Sequence, residues 1–207
     1  AKIIIDQGYV ISNYHGLFGL YEVPWLLAQL TTVFVFLVII NAINFIDGID
    51  GLAITEVIKT ILLIEFFSAN ETPLSPLTLL LIISLIPLYY FNFKKKGKVF
   101  LGDGGSLLLG TIVSIYIFYI LGNPYSFKTG FQINKALFCV LVILYPLIDL
   151  FRVFILRIKQ GHSPFIADQK HLHHLLFKKF NSSMKTVVSI QVVYIIIVFL
   201  IFFSVLI

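Results

Sequence analysis

The sequence predicts an all-α integral membrane protein, a polytopic bundle of about six transmembrane helices. Of its 207 residues, 59% are hydrophobic and only 12% are charged, whereas soluble proteins are roughly 45–50% apolar and about 25% charged. Since one crossing takes about 20 apolar residues, the composition supplies about six crossings. Cys139 is the only cysteine. A soluble enzyme, a disordered chain and a disulfide-stabilised scaffold are therefore excluded as classes.

Long apolar runs are the candidate spans. They cover residues 25–46, 52–67, 77–93, 107–121, 136–158 and 186–207. The run 107–121 is short, so we expect it to be extended by flanking loop residues. Gly, Pro, Asn and Ser mark the connecting loops. Without an internal repeat or a low-complexity linker between the runs, residues 1–207 are interpreted as a single integral membrane domain.

The lysines predict which loops face the cytoplasm. If every run crosses, the loops on one side are 47–51, 94–106 and 159–185, and those on the other are 1–24, 68–76 and 122–134. The first set contains nine lysines and the second contains two. Because cytoplasmic loops are enriched in Lys and Arg, the first set is predicted to be cytoplasmic. Residues 1–24, with β-branched and aromatic residues around glycines, predict a small hairpin on the outer face.

The loop after the first run carries two carboxylates. In the string NAINFIDGIDGLA, Asp47 and Asp50 are three residues apart, and Gly48 and Gly51 permit a tight turn. Carboxylates are costly at the membrane and indicate function by default, and their hard oxygen atoms suit Mg²⁺ or a base beside it. Alternatively, they cap the helix predicted at 52–67. The isolated motif does not decide between these interpretations.

The second loop combines glycines with a third carboxylate. In the string VFLGDGGSLLLG, Asp103 lies among glycines just before an apolar run. A glycine cluster that opens a helix offers free N–H groups to a phosphate. The string is neither a Walker P-loop nor a dinucleotide-binding fingerprint. Capping of the helix by Asp103 or Ser106 is an equally open interpretation.

The third loop is rich in histidine. Its ionisable residues are His162, Asp168, Lys170, His171, His173 and His174. Three histidines in four positions could bind a transition metal, but no cysteine joins them, and His171 and His173 would project differently from a helix. Binding of a phosphate by imidazole and Lys170 fits better. The structural alternative is an amphipathic helix in the headgroup layer, with His and Lys facing outward.

Taken together, these loops indicate a phosphoryl-transfer site at a membrane surface. Asp47, Asp50, Asp103, Asp168 and four of the five histidines all fall on the lysine-rich side. Mg²⁺ ligands, a phosphate cradle and cationic groups on one face are what such chemistry requires. Two further acidic residues, Glu56 and Asp149, lie three residues before Lys59 and Arg152. We interpret these as ion pairs inside the bundle rather than as catalytic groups.

The strings NAINFIDGIDGLA (41–53), VFLGDGGSLLLG (99–110) and GHSPFIADQKHLHHLL (161–176) resemble three signatures of the polyprenyl-phosphate N-acetylhexosamine-1-phosphate transferases. These transferases are glycosyltransferase family 4, and they are relatives of phospho-N-acetylmuramoyl-pentapeptide transferase, which belongs to the same superfamily. The resemblance implies a multi-pass bacterial inner-membrane enzyme whose active site faces the cytoplasm. Such enzymes transfer a sugar 1-phosphate from a UDP-N-acetylhexosamine to undecaprenyl phosphate and release UMP. They use Mg²⁺, for which Mn²⁺ is a candidate substitute.

The resemblance also implies roles for individual residues. Asp103 matches the metal-binding aspartate; Asp47, Asp50, His173 and His174 match catalytic positions; Asn44, Phe100, Gly102, His171, Lys170 and Arg157 are expected to bind substrate. Phe100 is expected to stack on the uracil, and the two catalytic histidines to face the sugar diphosphate. The spaced histidines and the preceding Ser-Pro-Phe resemble the UDP-GlcNAc branch more than the muramoyl-pentapeptide branch.

One departure from the family pattern affects activity. The family carries an adjacent Asp-Asp pair upstream, and this sequence contains none. We therefore expect the chain to be the C-terminal part of a longer transferase, and to be inactive alone.

Other functions fit the sequence less well. A transporter or channel subunit would place its ionisable residues at mid-span, and a CDP-alcohol phosphotransferase would carry a longer aspartate signature. Nucleic-acid binding is not expected, because lysines beside a span follow from the orientation rule. Assembly as a homodimer is left open.

Overall fold

The computed structural model describes residues 5, 6, 8–122, 125–131, 133–163 and 170–206. Within these residues the protein is a helical bundle without a β-strand, as predicted. Its helices are α1 (Trp25–Phe45), α2 (Leu52–Phe67), α3 (Ser75–Asn92), α4 (Gly102–Leu121), α5 (Lys135–Val142), α6 (Leu144–Lys159), α7 (Leu172–Phe180) and α8 (Ser183–Leu206). Two 3₁₀ turns, Leu17–Gly19 and Ile46–Gly48, precede α1 and follow it.

The helices confirm a polytopic membrane protein, with fewer long spans than the predicted six. Four helices of the described residues, α1, α3, α4 and α8, are long and apolar enough to cross a membrane, and the bent pair α5–α6 is a fifth candidate. The difference lies in α2, whose 16 residues extend about 24 Å at 1.5 Å per residue. That length is short of the roughly 30 Å hydrocarbon core.

The short helix α2 forms the centre of the bundle. Leu52, Val57, Ile61 and Ile64 on this helix are completely buried. Its far end pairs with the 125–131 segment, where Tyr125 Oη donates to the Ile64 carbonyl oxygen over 2.7 Å. The other helices therefore surround α2, and its first residues are held at the same end of the bundle as the start of α4.

Helices α1 and α4 pack closely because of a glycine. A Cβ atom at Gly110 would lie 2.8 Å from Ile40 Cα, so only a residue without a side chain permits this approach. The expected extension of the 107–121 run is confirmed: α4 begins at Gly102 and reaches 20 residues. The glycine-rich segment before the apolar run is thus the first turn of a helix, and not a loop as the sequence suggested.

The predicted span 136–158 is broken, which corrects the expectation of one continuous helix. Helices α5 and α6 meet at Ile143 with a bend of 77°. Pro146 explains the break, because proline has no N–H to donate to the carbonyl four residues earlier and its ring clashes with that carbonyl. The released carbonyl belongs to Val142, and it accepts a hydrogen bond from Thr60 Oγ1 of α2 at 3.0 Å.

The N-terminal segment forms the predicted reversal of the chain, but without a regular strand. Asn13 and Glu22 make an isolated antiparallel bridge, and the Tyr14 N–H donates to the Tyr21 carbonyl over 2.8 Å. His15 Nε2 lies 3.0 Å from the carbonyl oxygen of Leu121, the last residue of α4. The hairpin-like turn therefore lies at the end of the bundle opposite the start of α4.

Both predicted ion pairs are present. Lys59 Nζ lies 2.5 Å from Glu56 Oε2, and Gln191 Nε2 of α8 donates to the other carboxylate oxygen over 2.7 Å. Arg152 and Asp149 are 3.7 Å apart. The first pair ties α8 to α2 inside the bundle. The second pair belongs to a larger cluster at the end of the molecule where the three predicted loops meet.

Candidate active site

The first and second loops are joined by an asparagine at the end of α3. Asn92 Oδ1 accepts the Gly51 N–H over 2.5 Å, and its Nδ2 donates to the Val99 carbonyl over 2.7 Å. Gly51 has φ +75, and a Cβ there would lie 2.2 Å from the Phe93 ring. Glycine is therefore required at this position, both for its backbone conformation and for the space that the ring occupies.

A hydrogen bond between α1 and α4 places the second aspartate-bearing segment beside the first. Asn44 Nδ2 donates to Ser106 Oγ over 2.8 Å, one turn closer to the loops than Gly110. Ser106 is completely buried, and its hydroxyl also donates to the Asp103 carbonyl over 3.2 Å. Asn44 thus contacts the first turn of α4 directly, and this turn carries Asp103.

The aspartates of the two loops lie close enough to affect one another. Burial, followed by the charges of Asp103 and Asp50, raises the pKa of Asp47 to about 7, although its carboxylate accepts a hydrogen bond from the Gly102 N–H. Asp50 is held by Lys98 Nζ at 2.5 Å and by the Ser183 hydroxyl at 3.0 Å. The three carboxyl groups therefore lie at one end of the bundle, close enough for Asp50 and Asp103 to disfavour ionisation of Asp47.

The capping alternatives suggested by the sequence are wrong. The N-cap residues of α2 and α4 are Gly51 and Leu101, and neither makes a side-chain capping bond. Asp47 and Asp50 therefore do not cap α2, and Asp103 does not cap α4; the N–H of Gly102, the first residue of α4, is instead bonded by Asp47 from the first loop.

The donor atoms near Asp47 fit a hard cation. Mg²⁺ is commonly held by one or two carboxylates together with substrate phosphates, and not by a complete cage of protein ligands. Asp47 and Asp103 supply such a pair, whose mutual repulsion a divalent cation would relieve. Asp50 is engaged by Lys98. Where the structure is described, these acids do not form a compact group of three ligand atoms; the group that does is Asp149, His171 and His173, within 4.8 Å.

The expected substrate-binding residues occupy different environments. Phe100 is 69% exposed, with Lys98 Nζ 4.8 Å from its ring centroid. Gly102 has φ +67 and open space where a Cβ would be. Lys170 donates to Gln160 Oε1. Arg157, 3% exposed, lies in the last turn of α6.

The histidines face inward, which corrects two expectations. His171 and His173 are buried, with ring centroids 5.4 Å apart and nearly parallel, so the amphipathic-helix alternative with outward histidines is wrong. They converge because His171 lies just before α7 with an extended backbone, ψ 146, so its side chain does not project at the angle that a helix would give it. Asp168 lies outside the described residues.

The histidines reach the first loop at Gly48. A Cβ atom at Gly48 would lie 2.8 Å from His173 Nε2 and 3.0 Å from His174 Cε1. Burial lowers the pKa of His173. Burial, followed by the neighbouring histidines, lowers the pKa of His174 to about 4. This imidazole is therefore neutral near pH 7 in the free protein. The third loop thus lies against the first at Gly48, and the first loop contacts the second through the bond from the Gly102 N–H to Asp47.

Sequence reasoning missed one member of this cluster. Asp149 Oδ2 lies 2.8 Å from His171 Nδ1, and Oδ1 accepts the Leu172 N–H over 2.7 Å. The sequence showed only a residue three positions before Arg152, which pointed to an ion pair. Its place as an acidic residue inside the apolar run that leads into the histidine loop was the available signal.

The fold and the site define a class: a polytopic helical membrane protein with carboxylates, glycines and histidines gathered at one end of its bundle. Comparison with known families agrees with this class and identifies one family within it. The model of glycosyl transferase family 4 matches residues 1–122, more than half of the chain. The chain belongs to this family. The matched part contains the acidic loops, and the histidines of the third loop lie after it.

Curated relatives share part of their length with this chain. An undecaprenyl-phosphate alpha-N-acetylglucosaminyl 1-phosphate transferase of Pasteurella multocida is 34% identical over 114 residues, which cover 53% of this chain and 30% of the relative. The enzyme of the same name from Haemophilus influenzae is 36% identical over 103 residues, covering 47% and 27%. A decaprenyl-phosphate N-acetylglucosaminephosphotransferase of Mycobacterium leprae is 30% identical over 100 residues, covering 46% and 25%.

The matched part of the chain thus spans less than a third of the length of these relatives. No solved structure matches the chain.

Proposed function

We propose that this chain forms the nucleotide-sugar site of an enzyme that transfers N-acetylglucosamine 1-phosphate from UDP-GlcNAc to undecaprenyl phosphate, with release of UMP. The observation that carries the proposal is the convergence of the three loops: the histidines of the third lie against Gly48 of the first, and Asp47 of the first accepts the Gly102 N–H of the second. The family and the printed names of the relatives support the reaction class. We propose that this surface faces the cytoplasm at the bacterial inner membrane, because its loops carry most of the lysines.

The proposed roles follow the positions of the side chains. Asp103 and Asp47 would hold Mg²⁺, or Mn²⁺ in its place. The cation would supply charge neutralisation at the diphosphate. Because Asp50 is paired with Lys98, it is better placed to orient this lysine than to bind the cation.

The remaining residues would bind the substrate. His173 and His174 would donate or accept hydrogen bonds at the sugar diphosphate, with Lys170 and Arg157 adding positive charge nearby. Phe100 is exposed, so its ring is free to stack on a base that enters from solvent. Asn44 would act by fixing Ser106 and, with it, the turn that carries Asp103.

Conversion of radiolabelled UDP-sugars tests the proposed reaction. Membranes containing the longest product of the gene are incubated with undecaprenyl phosphate and a panel of UDP-sugars, and UMP and labelled lipid are measured. UDP-GlcNAc should be converted, and Asp103→Asn should lower its conversion at least about 100-fold, since it removes a ligand of the charge-neutralising cation. Glu22→Gln, which removes an exposed carboxylate of the N-terminal hairpin, is the matched control.

Two results would contradict the proposal: conversion of none of the UDP-sugars, or near-normal conversion by Asp103→Asn. The same assay on residues 1–207 alone should give no turnover, as the missing Asp-Asp pair predicts. The transporter alternative has no support from a specific feature of the described residues, since their acidic loops converge on one surface.

A further inference from the structure

The buried carboxylate of Asp149 lies directly behind the histidines that the proposed function uses. Asp149 is on α6, after the break at Ile143, and is completely buried. Its Oδ2 lies 2.8 Å from His171 Nδ1 and 3.5 Å from His173 Nδ1. Both imidazole rings therefore turn their Nδ1 atoms toward the same carboxylate oxygen.

The turn of α6 that carries Asp149 also holds the backbone on either side of His171. Asp149 Oδ1 accepts the Leu172 N–H over 2.7 Å, and Arg152 donates to the Lys170 carbonyl oxygen. The entry of the chain into α7 is thus fixed at successive residues by one turn of α6. This explains why His171 lies inward before the helix begins.

The carboxylate selects the tautomer of the rings. An ionised aspartate only accepts hydrogen bonds, so the Nδ1 of His171, at 2.8 Å, must carry the proton. The Nδ1 of His173 lies between Asp149 Oδ2 at 3.5 Å and Tyr145 Oη at 3.4 Å, and a proton on this Nδ1 satisfies both oxygen atoms as acceptors. In a neutral imidazole the other nitrogen, Nε2, is then an unprotonated acceptor. Carboxylates behind metal-bound or catalytic histidines commonly fix tautomer and ring orientation in this way.

The opposite nitrogen of His173 is directed at the site. His173 Nε2 is buried and, among the residues that the structure describes, has no hydrogen-bond partner. It faces Gly48, where a Cβ atom would lie only 2.8 Å away. A buried acceptor without a partner is costly unless a ligand satisfies it. The atom that Asp149 leaves unprotonated is therefore the one that faces the first loop.

A metal ion is the competing explanation for this cluster, because ligand atoms of Asp149, His171 and His173 lie within 4.8 Å of one another. Two observations favour the hydrogen-bonded arrangement. The 2.8 Å distance from His171 Nδ1 to Asp149 Oδ2 is that of a direct hydrogen bond. The Arg152 guanidinium, 3.7 Å from the same carboxylate, already supplies positive charge that would repel a divalent cation.

We propose that Asp149 is a positioning residue, which holds His171 and His173 in the Nδ1–H tautomer and turns Nε2 of His173 toward the space beside Gly48. This positioning role deepens the proposed function. It depends on the proposed function only for the expected effect of Asp149 on turnover. The tautomer itself is a property of the chain and can be measured without substrate.

The first test is ¹⁵N NMR of histidine-labelled chain in nanodiscs at pH 7.5, with resonances assigned through His171→Gln and His173→Gln. His171 and His173 should each show a protonated Nδ1 and an unprotonated Nε2. The exposed His162 serves as the reference. In Asp149→Asn, whose amide can donate to Nδ1, the proton should move to Nε2. Protonated Nε2 in the wild-type protein, or stoichiometric zinc in the purified protein with metal-shifted resonances, would overturn the proposal.

The second test is turnover of UDP-GlcNAc by the longest product of the gene. Asp149→Asn should lower kcat about 10- to 100-fold, the usual range for such supporting groups, with KM changed less than kcat. Asp149→Glu, which keeps a carboxylate, should recover part of the rate, and a purely structural role would not predict that split. Absence of turnover in the wild type would contradict the proposed function and leave the tautomer result standing. A wild-type rate in Asp149→Asn would overturn the positioning role alone.

Discussion

The substitution Gly48→Ala tests the point at which the loops meet. The added Cβ would lie 2.8 Å from His173 Nε2, 3.0 Å from His174 Cε1 and 3.1 Å from His174 Nε2. To restore the 3.4 Å of an ordinary contact, His173 must move by about 0.6 Å. No unusual backbone conformation is involved, since Gly48 does not have a positive φ. The expected effect is therefore purely steric.

The size of this effect follows from the displacement. Overpacking of this kind costs about 1–3 kcal/mol of stability, and a misplacement of roughly 1 Å at reacting groups can lower a rate about 100-fold. Turnover of UDP-GlcNAc should therefore fall about 10- to 100-fold, measured as UMP release alongside thermal unfolding in detergent.

Gly110→Ala is the comparison variant. It creates an equally short contact of 2.8 Å, but against the backbone of Ile40 between α1 and α4. It should lower the melting temperature, without the direct contact with the histidine rings that Gly48→Ala creates. If Gly48→Ala kept its rate within about twofold and its melting temperature unchanged, the close approach of the histidines to the first loop would be refuted.

Two further predictions concern stability. Lys59→Met leaves the completely buried Glu56 carboxylate with its bond from Gln191 but without its cation, and should cost about 3–5 kcal/mol in denaturant unfolding; a loss below about 1 kcal/mol would show that the pair is not buried as described. The pKa of His174 is about 4 in the folded protein and about 6.5 in the unfolded chain. The folded state therefore favours the neutral imidazole. The resulting stabilisation is complete above about pH 6.5 and is lost as the pH falls toward 4. His174→Gln should therefore lose less stability than the wild type between pH 7 and 4, and an identical pH profile would contradict the lowered pKa.

Composition and apolar runs were sufficient to predict the all-α membrane class, because burial in lipid requires long apolar helices. They did not predict where a helix breaks. The run 136–158 is continuous in hydropathy, and the break at Ile143 depends on Pro146 together with Thr60 of another helix, which accommodates the released Val142 carbonyl. This partner is distant in sequence and invisible to a local pattern.

The convergence of the acidic and histidine loops could also be predicted from the sequence, since the distribution of lysines assigned all three loops to one side of the membrane. The partnership of Asp149 with His171 did not, because it depends on the extended backbone just before α7. A helical projection of the histidine string separates His171 from His173, whereas the structure brings both to one carboxylate. Likewise, Asp47 and Asp50 looked equally suited to capping α2, and only the backbone at Gly51 shows that they do not.

The central claim is that the loops of this chain form one site for a nucleotide sugar. Equilibrium binding of radiolabelled UDP-GlcNAc to the chain in nanodiscs, with and without Mg²⁺, tests it most directly because binding requires no lipid acceptor. We predict saturable binding that Mg²⁺ strengthens, that Asp103→Asn weakens at least about tenfold, equivalent to about 1.4 kcal/mol, and that Glu22→Gln leaves unchanged. No saturable binding, or equal affinity in the wild type and Asp103→Asn, would contradict the claim.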